Sequence, residues 1–159
     1  MGRDGGPALG HLIRPMPALD QGQYERLLRF RTGLRRFLRW SAEQAALAGL
    51  TPAQHQLLLA IRGHPDPRGP TVGDVARYLF LRHHSAVELT DRAQAAGLLE
   101  RYSDPDDSRA VRLRLTEPGE ERLETLAAAH LEELARLELE LHALWEGLAT
   151  IVDHTRKPG

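Results

Sequence analysis

In a chain whose apolar residues otherwise recur at three- and four-residue steps, one short segment alternates at two: Val111, Leu113 and Leu115, separated by Arg112 and Arg114. That period is what a half-buried strand requires. The preceding run, Leu98 to Tyr102, reads as its partner strand, and Ser103 to Arg109 is a tight polar loop between them. The chain is therefore expected to be mainly α with one small antiparallel β-hairpin.

The helical periods divide the rest. Residues 1–20, "MGRDGGPALGHLIRPMPALD", are rich in Gly and Pro without a period and read as an extended arm. From Tyr24, the residues Leu27, Phe30, Leu34 and Phe37 mark one face of a helix running to about Ala48, with Arg35, Arg36 and Arg39 on the other side and Gly49 as its stop. Thr51, Pro52 and Gln54 form a helix-start signal for a short helix reaching about Arg62. Thr71 with Asp74 opens a third, whose buried stripe is Val72, Val75, Ala76 and Leu79. After a turn at Phe80 and Leu81, Ala86, Leu89, Thr90 and Ala93 make a narrow face on a fourth helix that Gly97 ends; its opposite face is polar. Two short helices joined by a tight turn, the second with an exposed polar face, make a helix-turn-helix pattern. Thr116 then caps a long acidic helix whose seam of Leu123, Leu126, His130, Leu134, Leu137, Leu141, Leu144 and Leu148 seeks another helix.

At 159 residues the chain is most simply one domain with a long appended element. It has no cysteine, which removes disulfides and thiolate metal sites, and its apolar runs are too short for a membrane span or a secretory signal. A cytoplasmic protein without a membrane partner is expected. The net charge of −1 hides an uneven distribution. Residues 1–62 hold nine Arg against four acids, residues 71–116 balance at seven and seven, and residues 117–146 hold nine Glu against two Arg. Lys157 is the only lysine, and arginine suits fixed bidentate contacts to phosphate, carboxylate or guanine.

The order of these elements, together with "GLLERYSDPDDSRAVRLRLTEPG", resembles the MarR-type winged helix-turn-helix regulators. The motifs that carry the likeness are Asp91 and Arg92, Gly97, Arg101, Asp104 and Pro105, Asp107, Arg109, and "LTEPG" opening the last helix; it runs clearly from about Leu50 to Gly119. The resemblance implies a homodimeric transcription regulator that binds double-stranded pseudo-palindromic DNA through the second helix of the motif and the wing, in many members released by a small-molecule effector. It implies an arm (1–20), an N-terminal dimerisation helix (21–49), a winged helix-turn-helix (50–116) and C-terminal dimerisation helices (117–159).

Carried onto this chain, the expected DNA-binding residues are Thr71, Arg82, His83, His84, Ser85, Val87, Glu88 and Arg92 around the recognition helix, and Arg109 at the wing tip. Bare carboxylates beside phosphate would be repelled, so Asp104 and Asp107 are expected to pair with Arg101, Arg109 or Arg92 and so shape the wing. Phe30, Phe37 and Trp40 share a face of the first helix and are the candidate effector pocket, against the plainer reading that they are core. "DPDDSR" lacks the ligand spacing of a calcium loop, adjacent His83 and His84 point apart on a helix, and no catalytic or cofactor constellation is present, so neither a metal nor a cofactor nor an enzymatic activity is expected. Ser108 and Glu88 depart from the family pattern, where a second arginine and a basic or neutral polar residue are usual. Glu88 and the near-neutral charge of the wing region favour the rival reading, a winged-helix protein-interaction module that does not bind DNA.

Overall fold

The computed structural model describes residues 19–154, with side chains described through Glu138 and at His142. The elements run α1 (Gln21–Leu47), α2 (Pro52–Arg62), α3 (Val72–Tyr78), α4 (His83–Ala95), β1 (Leu99–Ser103), β2 (Val111–Leu115) and α5 (Glu117–His154). The chain is mainly helical with a two-stranded antiparallel wing in which Leu99 faces Leu115 and Ser103 faces Val111.

Three helices begin with the same device. Asp20, Thr51 and Thr71 each accept a hydrogen bond from the backbone N–H three residues on, while Gln23, Gln54 and Asp74 reach back to the cap's own N–H. The Asp20 box starts α1 at Gln21, three residues before the start at Tyr24 expected from periodicity. The wing's first strand likewise begins at Leu99 rather than Leu98.

The core forms where α2, α3, α4 and the wing converge on the start of α5. Leu57, Leu58, Val75, Ala86, Ala93 and Leu113 are fully buried, and Leu123 and Leu126 close the layer from α5. Burial at about 25 cal/mol per Å² of apolar surface is what holds such short helices together, since none is stable alone. The wing is fastened on its other flank by the α2–α3 loop: the Leu113 N–H donates to Pro70 O at 2.9 Å, and Thr71 bridges Arg112. Gly69 sits at φ +75°, and a Cβ there would lie 2.2 Å from Leu113 O, so this close approach requires glycine.

The two long helices differ from the core. α1 packs on α5 and α2 near Ala45, which is fully buried, but Leu27, Leu34 and Leu38 are exposed, and Phe30 and Phe37 are half-buried. On α5, Leu123 and Leu126 are buried while Leu131 and Leu134 are exposed. The seam expected on α5 is thus half used within the chain; the side chains of Leu141, Leu144 and Leu148, and the arm through residue 18, lie outside the described residues. Val111, expected on the buried side of the wing, is exposed because it lies at the open end of the ribbon, beyond the core.

Candidate nucleic-acid interface

α4 turns Ala86, Leu89, Thr90 and Ala93 inward, which leaves His83, His84, Glu88 and Arg92 exposed and Ser85 and Val87 half-buried. Arg82 is its N-cap residue but makes no side-chain cap, so the first N–H groups of this helix have no capping partner from that side chain. The positive end of the helix dipole and the Arg82 guanidinium therefore coincide. Thr71, by contrast, is committed to its own helix: its hydroxyl accepts from the Asp74 N–H at 3.2 Å and donates to Asp74 Oδ2 at 2.7 Å.

The balanced charge of residues 71–116 resolves into two populations. Arg77 pairs with Asp74, Arg101 with Asp91 and Gln94, Arg112 with Asp104, and Arg114 with Glu100, where it also lies 5.1 Å from the Tyr102 ring centroid. Among the described residues, the side chains of Arg82, Arg92 and Arg109 make no ion pair or hydrogen bond. These three free cations stand on the exposed face of α4 and at the wing tip. Glu88 is an unpaired acid on the same face of α4.

The aspartates of the wing pair differently from the sequence expectation. Asp104 is almost fully buried and holds Arg112 Nε at 2.7 Å and Arg68 Nη1 at 3.4 Å, not Arg101, Arg109 or Arg92. Arg68 also bonds Asp66 at 2.9 Å and Asp106 at 3.1 Å, while Arg112 donates to Gly69 O at 2.9 Å. The Tyr102 hydroxyl donates to Arg68 O. This network ties the wing base to the α2–α3 loop. The Asp106 N–H and the Arg112 guanidinium hold the Asp104 carboxyl below the usual carboxylate range, and the Arg68 side chain and N–H lower that of Asp66 to about 2.

Asp107 makes no ion pair; its Oδ1 accepts the Arg109 N–H at 3.0 Å and its carbonyl accepts the Ala110 N–H at 2.9 Å. It folds the tip by backbone hydrogen bonding, with the Arg109 side chain left free. Arg101, expected as a partner of the wing aspartates, instead reaches back from β1 to Asp91 at 2.7 Å and to Gln94, fixing the wing against α4. Sequence reading missed the pairing of Asp66, Arg68 and Arg112 because it crosses from the α2–α3 loop to the wing.

Phe37 and Trp40 lie in an aromatic cluster where α1, α2 and α5 meet. His130 contacts Trp40 (ring centroids 4.8 Å apart), Phe37 (5.9 Å) and His55 (4.6 Å). In the neutral His130 ring Nδ1 carries the proton, because Leu126 O at 2.7 Å accepts only; Nε2 then accepts from the Ser41 hydroxyl at 2.8 Å. His55 is buried with Nδ1 unpartnered, and burial, then the nearby His130, lowers its pKa below 6.5. Phe30 is half-buried two turns earlier on α1.

Known proteins share this architecture. A model of the MarR family matches residues 48–110. The uncharacterized HTH-type transcriptional regulator YhbI of Bacillus subtilis (strain 168) is 36% identical over 75 residues, covering 47% of this chain and 48% of that protein, so the chain spans about half the length of this curated relative. Among solved structures, the MarR family transcription regulator SP03579 matches at 22% identity with a TM-score of 0.67, covering 84% of this chain and 90% of that one. AbsC, a MarR family transcriptional regulator from Streptomyces coelicolor, matches at 20% identity with a TM-score of 0.65, covering 89% and 99%. A mutant of S. aureus MepR bound to an oligodeoxyribonucleotide matches at 20% identity with a TM-score of 0.59, covering 84% and 98%. At these identities the structural likeness is one of fold. Residues 48–110 are thus similar to the MarR family, and the chain has the winged-helix fold seen in MarR-family regulators.

Proposed function

We propose that this chain is a transcription regulator that represses by occupying duplex DNA, with α4 in the major groove and Arg109 of the wing in the adjacent minor groove. The observation that carries this reading is the sorting of arginines: four in the region are consumed by internal pairs, while Arg82, Arg92 and Arg109 are left free on one exposed set of elements. Unpaired cations beside a solvent-facing helix N-terminus suit a lattice of phosphates, and Arg82, Glu88 and Val87 suit guanine, the cytosine amino group and a thymine methyl respectively. Binding rather than catalysis is the activity, and the cytoplasm is where such a protein works.

The working unit is a homodimer. Tyr24, Leu28 and Leu38 on α1 and Leu131 and Leu134 on α5 are exposed apolar residues on a single chain, and the arginine-rich α1 complements the glutamates of α5. Two-fold symmetry then sets two α4 helices on a pseudo-palindrome with half-sites about one helical turn apart. A small-molecule effector would act at the α1, α2 and α5 junction, on the side of Phe30, Phe37 and Trp40, by changing how α1 and α5 carry the DNA-binding part. Glu88, an unpaired acid on the outward face of α4, favours the second reading of a protein-interaction module.

Selection of genomic fragments with purified protein, followed by footprinting and sedimentation at micromolar concentration, tests the proposal. A symmetric footprint of two half-sites bound by a dimer is expected. A folded monomer, or footprints covering one half-site only, would overturn it.

A further inference from the structure

Three helices of this chain end in the same way. At the end of α1 the Leu50 N–H donates to Ala45 O at 2.9 Å and the Gly49 N–H to Ala46 O at 3.0 Å, with Gly49 at φ +71°. At the end of α4 the Leu98 N–H donates to Ala93 O at 3.0 Å and the Gly97 N–H to Gln94 O at 2.9 Å, with Gly97 at φ +72°. At the end of α3 the Leu81 N–H donates to Ala76 O at 2.9 Å and the Phe80 N–H to Arg77 O at 3.4 Å, with Phe80 at φ +53°. Each is a Schellman motif, in which the residue after the cap adopts the left-handed conformation. Two of the three use glycine, which does so without strain; the third uses phenylalanine, the one non-glycine residue at positive φ among the described residues.

Among the described residues nothing compensates for this choice. The Phe80 side chain is 96% exposed, so it buries no surface and repays neither its backbone strain nor its hydration. A residue that is strained and solvated in the free protein gains its return from something outside it. Phe80 stands in the turn of the helix-turn-helix, two residues before Arg82, the N-cap of α4, and next to the exposed and unpaired Arg82, His83 and His84. An apolar protein partner has no use for such a cationic, donor-rich border, whereas duplex DNA presents apolar sugar edges and thymine methyls inside a lattice of phosphates.

We infer that Phe80 is a DNA-contacting residue that packs its ring on the apolar surface of the duplex, deoxyribose or thymine methyl, at the edge of the groove entered by α4. The inference rests on the DNA-binding reading above. It makes the glycine position of the helix-turn-helix turn part of the interface rather than a mere connector.

The experiment compares parent, Phe80→Gly, Phe80→Leu and Arg82→Ala for melting temperature and for affinity to the selected duplex at two salt concentrations. Phe80→Gly should melt about 2–4 °C higher, because it relieves a left-handed non-glycine residue. It should bind about tenfold or more weaker, with an unchanged salt slope, because no charge is lost. Phe80→Leu keeps an apolar side chain and should bind between the two. Arg82→Ala should flatten the salt slope by about one charge. Replacing operator thymines by deoxyuridine separates the two sources: a loss larger in the parent than in Phe80→Gly means that Phe80 uses the methyl, and an equal loss in both means that it uses the sugar. If Phe80→Gly binds as tightly as the parent while Arg82→Ala weakens, the Phe80 contact is wrong and the DNA-binding reading stands. If the parent itself shows no salt-dependent duplex binding, both fall.

Discussion

Gly119→Ala is a substitution whose sign distinguishes packing from propensity. Gly119 lies in the first turn of α5, where its N–H donates to the Thr116 hydroxyl at 3.3 Å, and alanine in a helix is ordinarily favoured over glycine by about 1 kcal/mol. A Cβ at this position, however, would lie 2.0 Å from Leu98 O and 3.0 Å from Leu98 C. The obstacle is backbone at the entry to the wing, its residue is buried, and its carbonyl also accepts the Thr116 N–H at 3.2 Å, so the strand must move by more than an ångström and loosen that bond. Overpacking of this kind costs about 1–3 kcal/mol and a weakened hydrogen bond about 1 more, which leaves a net loss of roughly 1–3 kcal/mol after the helix gain. For a chain of this size that is a fall of about 2–12 °C in Tm. Thermal and urea melts at one fixed protein concentration would measure it, since dissociation would make Tm depend on concentration. Gly73→Ala in α3 is the control: its Cβ meets only the Thr71 hydroxyl at 3.6 Å, and it should be neutral or stabilising. A Gly119→Ala protein that melts at or above the parent would refute the close approach of wing and α5.

At the wing tip, Arg109→Ala should weaken DNA binding by about 1–3 kcal/mol and reduce the salt slope by about one, with melts unchanged. Asp107→Ala should also weaken binding because it frees the Arg109 N–H and loosens the tip; affinity equal to or above the parent would show that the carboxylate only repels phosphate. Asp104→Asn should lower both Tm and affinity while leaving the salt slope unchanged, since its partners Arg112 and Arg68 are internal; unchanged melting would show that the buried network does not hold the wing. His55 has a folded pKa below its ordinary 6.5, so the unfolded chain takes up more protons as pH falls through that value, and stability present above about pH 6.5 is lost below it. His55→Leu should therefore show a smaller fall in Tm between pH 7.5 and 5.5 than the parent, and equal falls would exclude His55 as a source of the pH dependence.

Local signals were legible in the sequence where they act locally. The Thr51 and Thr71 capping boxes, the Ala86, Leu89, Thr90 and Ala93 stripe, and the alternation about Leu113 each depend on neighbours within a turn or a strand, and each stands where the spacing puts it. The Asp20 and Gln23 box carries the same signal and was obscured by the Gly/Pro-rich segment before it. Asp104 was recognised as needing an arginine, yet its partner Arg68 is 36 residues away on another loop, a pairing that only the folded arrangement of loop and wing decides. A turn at Phe80 and Leu81 was legible, but its left-handed conformation at Phe80 was not, because nothing in a phenylalanine's own preferences marks one. The Leu27 and Leu34 face was read correctly as apolar, while what covers it depends on a second surface that no period within one helix specifies.

The measurement that bears most directly on DNA binding is the salt dependence of affinity for a selected operator duplex, titrated from about 50 to 200 mM salt. Each phosphate neutralised contributes about −0.9 to the slope of log K against log salt. Arg82, Arg92 and Arg109 from both protomers of a dimer would together give a slope near −5, steep enough to lose affinity by about 10³ across that range. A steep slope that flattens in the Arg82→Ala and Arg109→Ala proteins is the expected result. A flat slope with no preference for the selected duplex would contradict it and leave the chain a protein-interaction module.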